Sequence, residues 1–229
     1  MGIIYTENLV KTFGVGQSEV RAIDGISLNI NRGFHAITGP SGSGKSTLLQ
    51  LIGGLRIPDK GRVQMKNTDL SIFDDEELAI FRRRNVGFIF RQYNLIPVLN
   101  VYENITFPLE LDGRSTDKEY IHQITRLLGL EDKLTKFPKT LSSGERQKVS
   151  IARALSTKPA VILADEPTGN LDTRAALEVV GLLKMTCREF DQTIIMVTHD
   201  KEMAEMADRI IYLRDGKVEK ESKGGKYEE

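Results

Sequence analysis

A single cysteine, Cys187, stands in the 229-residue chain, so no intrachain disulfide can staple it and a reducing compartment is the simpler setting. It falls in a helix-patterned segment, ALEVVGLLKMTCREF, where it is expected to pack as a small buried side chain. Charge of one sign is also missing. Lys plus Arg and Asp plus Glu both number 32, which leaves no long-range field to gather a polyanion, so nucleic acid is disfavoured as a partner. No apolar run approaches the roughly 18 residues needed to cross a bilayer. The N-terminal MGIIYTENLVKTFG has no basic stretch followed by an apolar one, and MGIIYT reads as the start of a strand rather than as an acylation site. A soluble protein that reaches a membrane only through partners is expected. What the chain does have is 40% hydrophobic residues, enough for a proper core.

From Ile3 to about Leu70, the stretches IIYTENLVKTF, VRAIDGISLNI, FHAITG and GRVQM are separated by Gly, Asn and Asp. They predict strands, mostly antiparallel except the one ending at Gly39. Asp117 to Leu128 and Ser142 to Leu155 carry apolar residues at helical spacing, with Pro97, Pro108 and Pro138 as punctuation, so residues 92–157 are predicted to form a helical insertion. From Ala160 onward, AVILADE, TIIMVTH and RIIYLRDG alternate with helical segments, the pattern of buried parallel strands with crossover helices. One domain over residues 1–220 is expected. The closing KVEKESKGGKYEE has almost nothing to bury and is expected to fray, with 221–229 a disordered tail.

Function enters at GPSGSGKST, which matches G-x-x-x-x-G-K-[ST] between the strand FHAIT and the helix STLLQLIGGL. Gly39, Gly42 and Gly44 let the backbone N–H groups converge on phosphate at the positive end of a helix, Lys45 reaches the β and γ phosphates, and Ser46 ligates Mg²⁺. Pro40, Ser41, Ser43 and Thr47 complete the expected contacts. AVILADEP is an apolar strand ending on two carboxylates whose side chains point apart, so Asp165 is suited to Mg²⁺ through its water shell and Glu166 to orienting or deprotonating a water. TIIMVTHD likewise ends on Thr198, His199 and Asp200, and His199 is placed to bond the γ-phosphate and the attacking water. His35 and His122 have no such context and read as structural.

LSSGERQKVSIARAL, Leu141 to Leu155, opens a second exposed helix N-terminus fit to meet an anion. With this segment the chain, from Ile3 to about Val218, resembles the ATP-binding-cassette ATPases. The resemblance implies an α/β P-loop NTPase fold: a RecA-like mixed sheet core, an N-terminal antiparallel β subdomain and an inserted α-helical subdomain. It implies a head-to-tail homodimer that sandwiches two ATP molecules, with Ser142, Ser143, Gly144 and Glu145 of one subunit closing on the nucleotide of the other. PTGNLD looks like the loop through which Asp172 communicates across that dimer, and LVKTFG like the segment whose aromatic residue, here Phe13, stacks on adenine. Glu166 carries over as catalytic base, His199 as switch histidine and Asp165 as the Mg²⁺-associated carboxylate. NLIPVLNVYENITFPL and ADEPTGNLD look most like the macrolide-exporter, lipoprotein-releasing and antimicrobial-peptide-resistance branch. That branch implies a place on the cytoplasmic face of the membrane, held by a permease with few spanning helices and a large extracytoplasmic domain. The cargo it implies is amphiphilic or peptide-like. A regulatory or mechanotransmitting cassette that moves no cargo is the alternative.

Two positions depart from the family pattern. Ser143 replaces a glycine of LSGGE, where a Cβ loosens a close approach to phosphate or a hydroxyl adds a bond. Where relatives carry F-x-F-Q-x-x-N-L, this chain has FIFRQYNL, so Arg91 stands at the glutamine position and Gln92 comes one residue later, on the other face of the strand end. Arginine has only donors and cannot ligate Mg²⁺, though it can pair with a phosphate. The expected consequences, in order, are a slower ATPase, a rearranged loop in which Gln92 serves the metal, and a subunit that hydrolyses ATP poorly. FRRRN, Phe81 to Asn85, reads as a solvated face or as a patch for a partner or lipid headgroups.

Overall fold

β-Branched runs bounded by turns become two sheets in the computed structural model, which describes residues 2–14 and 16–224. β1 (Ile4–Phe13), β2 (Val20–Ile30), β4 (Lys60–Met65) and β5 (Thr68–Asp69) form an antiparallel sheet in the order β2-β1-β4-β5. β3 (Gly33–Thr38), β6 (Val86–Phe90), β7 (Val161–Asp165), β8 (Thr193–Val197), β9 (Arg209–Arg214) and β10 (Lys217–Lys223) form the other, in the order β10-β9-β3-β8-β7-β6. Its strands are parallel except β10, which runs antiparallel to β9.

Side chains alternate across the larger sheet, and both faces are buried, which is why its strands read as nearly unbroken apolar runs. Phe34, Ala36, Ile162, Ala164, Ile194 and Met196 face one core, while Ile37, Leu163, Ile195 and Val197 face the other with the antiparallel sheet and α1 (Lys45–Ile52). The first core also takes in Val101 and Ile105 of α3 (Val101–Leu111), Ile121 and Ile124 of α4 (Lys118–Leu127), and Val149 and Ile151 of α5 (Ser143–Ser156). The helical insertion therefore shares its apolar interior with the sheet. α2 (Asp75–Asn85), α6 (Thr173–Glu189) and α7 (Lys201–Glu205) complete the chain.

The expected fraying of the C-terminus needs correction. Residues 217–223 form β10, held by the ladder to β9 and by Arg209–Glu221 and Arg214–Glu219 ion pairs at 2.6 and 2.9 Å. Backbone bonds and charge pairs do here what a scarcity of apolar side chains cannot. The first residues assigned to the disordered tail, 221–223, thus belong to a strand, and 225–229 lie outside the described residues.

The loop after β6 is tied to α3 by Asn104, which is fully buried. Its Oδ1 accepts from Ile96 N at 2.8 Å, and its Nδ2 donates to the carbonyls of Ile96, Leu99 and Asn100 at 2.9–3.1 Å. Asn104→Ala would leave several half-buried groups of Ile96, Leu99 and Asn100 without their partner, and is expected to lower the unfolding free energy by about 2 kcal/mol in urea titrations.

Candidate active site

β3 runs into the loop at Gly39 and α1 leaves it at Lys45. The glycines at its two ends are required by backbone and by space. Gly39 has φ 146° and a Cβ there would lie 2.0 Å from Leu213 O; Gly44 has φ 97° and its Cβ would lie 2.3 Å from Ala22 O. Lys45 folds back over the loop and donates from Nζ to the carbonyls of Gly39 and Pro40 at 2.9 and 2.7 Å. Burial pushes its pKa down, although Glu166 and Asp165 pull the other way. α1 has no side-chain cap, whereas a side chain caps each of α2 to α7. Its first N–H groups are thus left to an external anion, and the Oγ of Ser43, 2% exposed, also has no partner.

The end of β7 delivers two carboxylates to different places, Asp165 from the strand itself and Glu166 from the left-handed residue just past it. Ser46 Oγ donates to Asp165 Oδ1 at 2.8 Å, joining the first turn of α1 to the strand, and burial holds the Asp165 carboxyl above the ordinary range. Glu166 adopts a left-handed φ of 48°, with its N–H bonded to Val197 O at 3.0 Å. His199 Nδ1 donates to its carboxylate, 2.9 Å from each oxygen, which leaves Nε2 unengaged by that pair. Phe13, Ala22, residues 41–42 and 44–47, Glu166 and His199 enclose one cleft of about 320 Å³. Among the described residues no group of three or more His, Cys, Asp or Glu side chains could hold a metal; the adjacent oxygens of Ser46 and Asp165 offer a hard cation two ligands, the rest to come from phosphate and water.

Phe13 contributes a ring to this cleft, and the Arg56 guanidinium sits 5.0 Å over that ring, anchored by its Nε bond to Gln50 at 2.6 Å. Arg56 was not foreseen from sequence, because nothing local marks a cation-π partner forty-odd residues away.

The remaining expected residues are not brought to the cleft within one subunit. Ser142 caps α5 in a capping box, its Oγ accepting from Glu145 N while the Glu145 carboxylate accepts from Ser142 N at 2.7 Å. Ser143 lies in the first turn of α5 and is absent from the positive-φ residues. Left-handed backbone is therefore no reason for glycine at this position, and only close approach remains. Asp172 caps α6 by accepting from Ala175 N at 2.8 Å, and a Cβ on Gly144 would lie 3.9 Å from Ala175 Cβ, so the two helix starts are neighbours.

Arg91 does not face the cleft, contrary to the expectation that it could pair with phosphate. Its Nη2 donates to Gly169 O at 3.0 Å and its Nε to Asn170 Oδ1 at 3.2 Å, while Asn170 Nδ2 donates back to Arg91 O at 2.8 Å. Gln92 is exposed on the turn that follows and is not among the residues that line the cleft. The FRRRN arginines are engaged within the chain: Arg82 with Gly54 O, Arg83 with Leu111 O, and Arg84 with Asp112. Cys187 is buried and donates to Gln192 O, as expected of a structural thiol.

The model of the ABC transporter family matches residues 23–169. An uncharacterized ABC transporter ATP-binding protein of Methanocaldococcus jannaschii, MJ0796, is 42% identical over 96% of this chain and 97% of its own. Its dimeric structure in a post-hydrolysis state bound to ADP and Pi aligns with a TM-score of 0.86 at 39% identity, over 98% of this chain and all of that one. The lipoprotein-releasing system ATP-binding protein LolD 1 of Chlorobium chlorochromatii is 46% identical over 86% of this chain and 81% of its own. The macrolide export ATP-binding/permease protein MacB of Chlorobaculum tepidum is 42% identical over 92% of this chain, which spans only 33% of that longer protein.

Proposed function

The chain belongs to the ABC transporter family as an ATP-hydrolysing cassette, and from that premise we propose that it powers a membrane complex of the lipoprotein-releasing and macrolide-exporting kind by closing on ATP as a head-to-tail homodimer. The observation that carries the chemistry is one cleft in which Lys45 and a Glu166–His199 pair face the same loop. The loop N–H groups and Lys45 hold the triphosphate, and Phe13, backed by Arg56, offers its ring to adenine. Ser46 and Asp165 would hold Mg²⁺, which when bound neutralises charge on the β and γ oxygens. Glu166 orients a water and accepts its proton, and His199, locked by its Nδ1 bond, presents Nε2 toward the γ-phosphate. The partner cassette's helix α5 start closes the site.

The likeness to a lipoprotein-releasing system ATP-binding protein and to a macrolide export ATP-binding/permease protein supports work with a membrane permease, and our reading places the chain on the cytoplasmic face, held by a permease with few spanning helices and a large extracytoplasmic domain, with an amphiphilic or peptide-like cargo. Reconstitution with such a permease in vesicles should give ATP turnover stimulated by a lipid-anchored or amphiphilic peptide cargo. If the chain binds no ATP at millimolar concentration, or turnover ignores cargo of that class, the corresponding part of the proposal fails.

Ser143 gives a test of the closed dimer. If its Cβ limits phosphate approach, Ser143→Gly in a Glu166→Gln background should tighten ATP-dependent dimerisation by roughly 1 kcal/mol, about fivefold in the dimer constant by sedimentation. Weaker dimers would mean that the hydroxyl contributes a bond instead.

A further inference from the structure

We propose that Arg91 is a positioning residue for Glu166, acting through the turn that follows the catalytic strand. β6 and β7 pair in parallel with Phe90 opposite Asp165, so Arg91 and Glu166 leave adjacent strands at the same level. The turn after β7 returns to Glu166 itself: Gly169 N donates to Glu166 O at 3.1 Å, and Leu171 N to Thr168 O at 3.0 Å. Arg91 grips this turn at its tip with two donors 3.0 and 3.2 Å from Gly169 O and Asn170 Oδ1, and Asn170 returns a bond to the Arg91 carbonyl. A Cβ on Gly169 would lie 2.7 Å from Arg91 Nε, so this residue is small where the guanidinium lies across it.

This grip matters because Glu166 sits at φ 48°, a left-handed conformation that a non-glycine residue keeps only when its surroundings over-determine it. The forked guanidinium bonds two acceptors at once, which an ammonium on a flexible stem does not reproduce. Arg91 thereby touches neither substrate nor metal ligands, and acts on the rate by keeping the carboxylate in register with His199.

The inference rests on Glu166 being the base, and the test separates the two. ATP turnover and nucleotide affinity are measured on the purified full chain carrying Arg91→Ala, Arg91→Lys, Asn170→Ala and the Arg91→Ala/Asn170→Ala pair, with Glu166→Gln alongside. Misplacement of a catalytic group should lower kcat about tenfold in each single variant, with lysine failing to rescue, while KM and the affinity for a fluorescent ATP analogue stay within about twofold. Because the two residues share the Arg91 Nε–Asn170 Oδ1 contact, the double variant should be slowed by less than the product of the two single effects, and fully multiplicative slowing would count against a shared grip. Unchanged or faster turnover in Arg91→Ala, full rescue by lysine, or affinity falling in step with kcat would overturn the proposal. Retained turnover in Glu166→Gln would overturn the assignment of the base instead. Thermal melts within a few degrees of the natural chain exclude misfolding, and Asn170→Ala tests the same contact from the exposed loop side.

Discussion

Glu166→Gln is expected to abolish steady-state ATP hydrolysis while leaving ATP binding intact, and to accumulate a stable ATP-bound dimer. The amide has nearly the shape of the carboxylate, so the cleft keeps its form, but it accepts no proton from an attacking water. It also exchanges the charge-assisted bond from His199 Nδ1 for a neutral one. Loss of a positioned general base removes about 10²–10⁴ in rate. With hydrolysis blocked, the nucleotide that closes the dimer is not consumed, and dimers should persist in size-exclusion chromatography with ATP and Mg²⁺ and dissociate with ADP. Turnover within a factor of about two of the natural chain would move the base to another group.

The second large effect is expected at Lys45. Its ammonium is bonded to the carbonyls of Gly39 and Pro40, in the position from which it can swing onto an incoming phosphate. Lys45→Ala deletes a charge-assisted contact worth about 1.5–3 kcal/mol, so nucleotide affinity should fall roughly 10- to 100-fold. The loop itself should survive, because its course is set by Gly39 and Gly44 and by the helix that follows. A melt separates the two effects: millimolar ATP should raise Tm of the natural chain through ligand linkage and raise the variant's Tm by clearly less, while the two proteins without nucleotide melt within a few degrees of each other. Equal ATP-induced shifts would remove Lys45 from the binding site.

These residues were legible in the sequence because each belongs to a contiguous pattern with a local physical meaning. A Gly-rich loop between strand and helix specifies its own conformation. Apolar runs ending in Asp165–Glu166 and Thr198–His199 mark buried parallel strands whose polar ends must emerge at one edge of the sheet. Asp165 and Glu166 do meet different partners, Ser46 and His199, although the left-handed backbone at Glu166 and not strand alternation turns the second carboxylate away.

What spacing did not reveal was which strand ends meet. Glu166 and His199 are 33 residues apart, and Arg91 and Asn170 79, and they become neighbours only through the strand order β8-β7-β6. The direction of a side chain just past a strand depends on one backbone angle, and the left-handed turn at Glu166 is not written in any periodicity. For the same reason a substitution that looked, by motif alignment, like a cation placed at phosphate proved to lie against the Gly169–Asn170 turn. The charged tail gave no apolar signal, yet β9 offered it an unpaired edge. The sequence by itself determined the kind of loop, which buried strands end on acids and the class of nucleotide chemistry, because those follow from local backbone and side-chain character. Tertiary structure alone decided the partners of Arg91, Asn104 and the C-terminal strand, because hydrogen bonds between distant segments depend on where the sheet carries them.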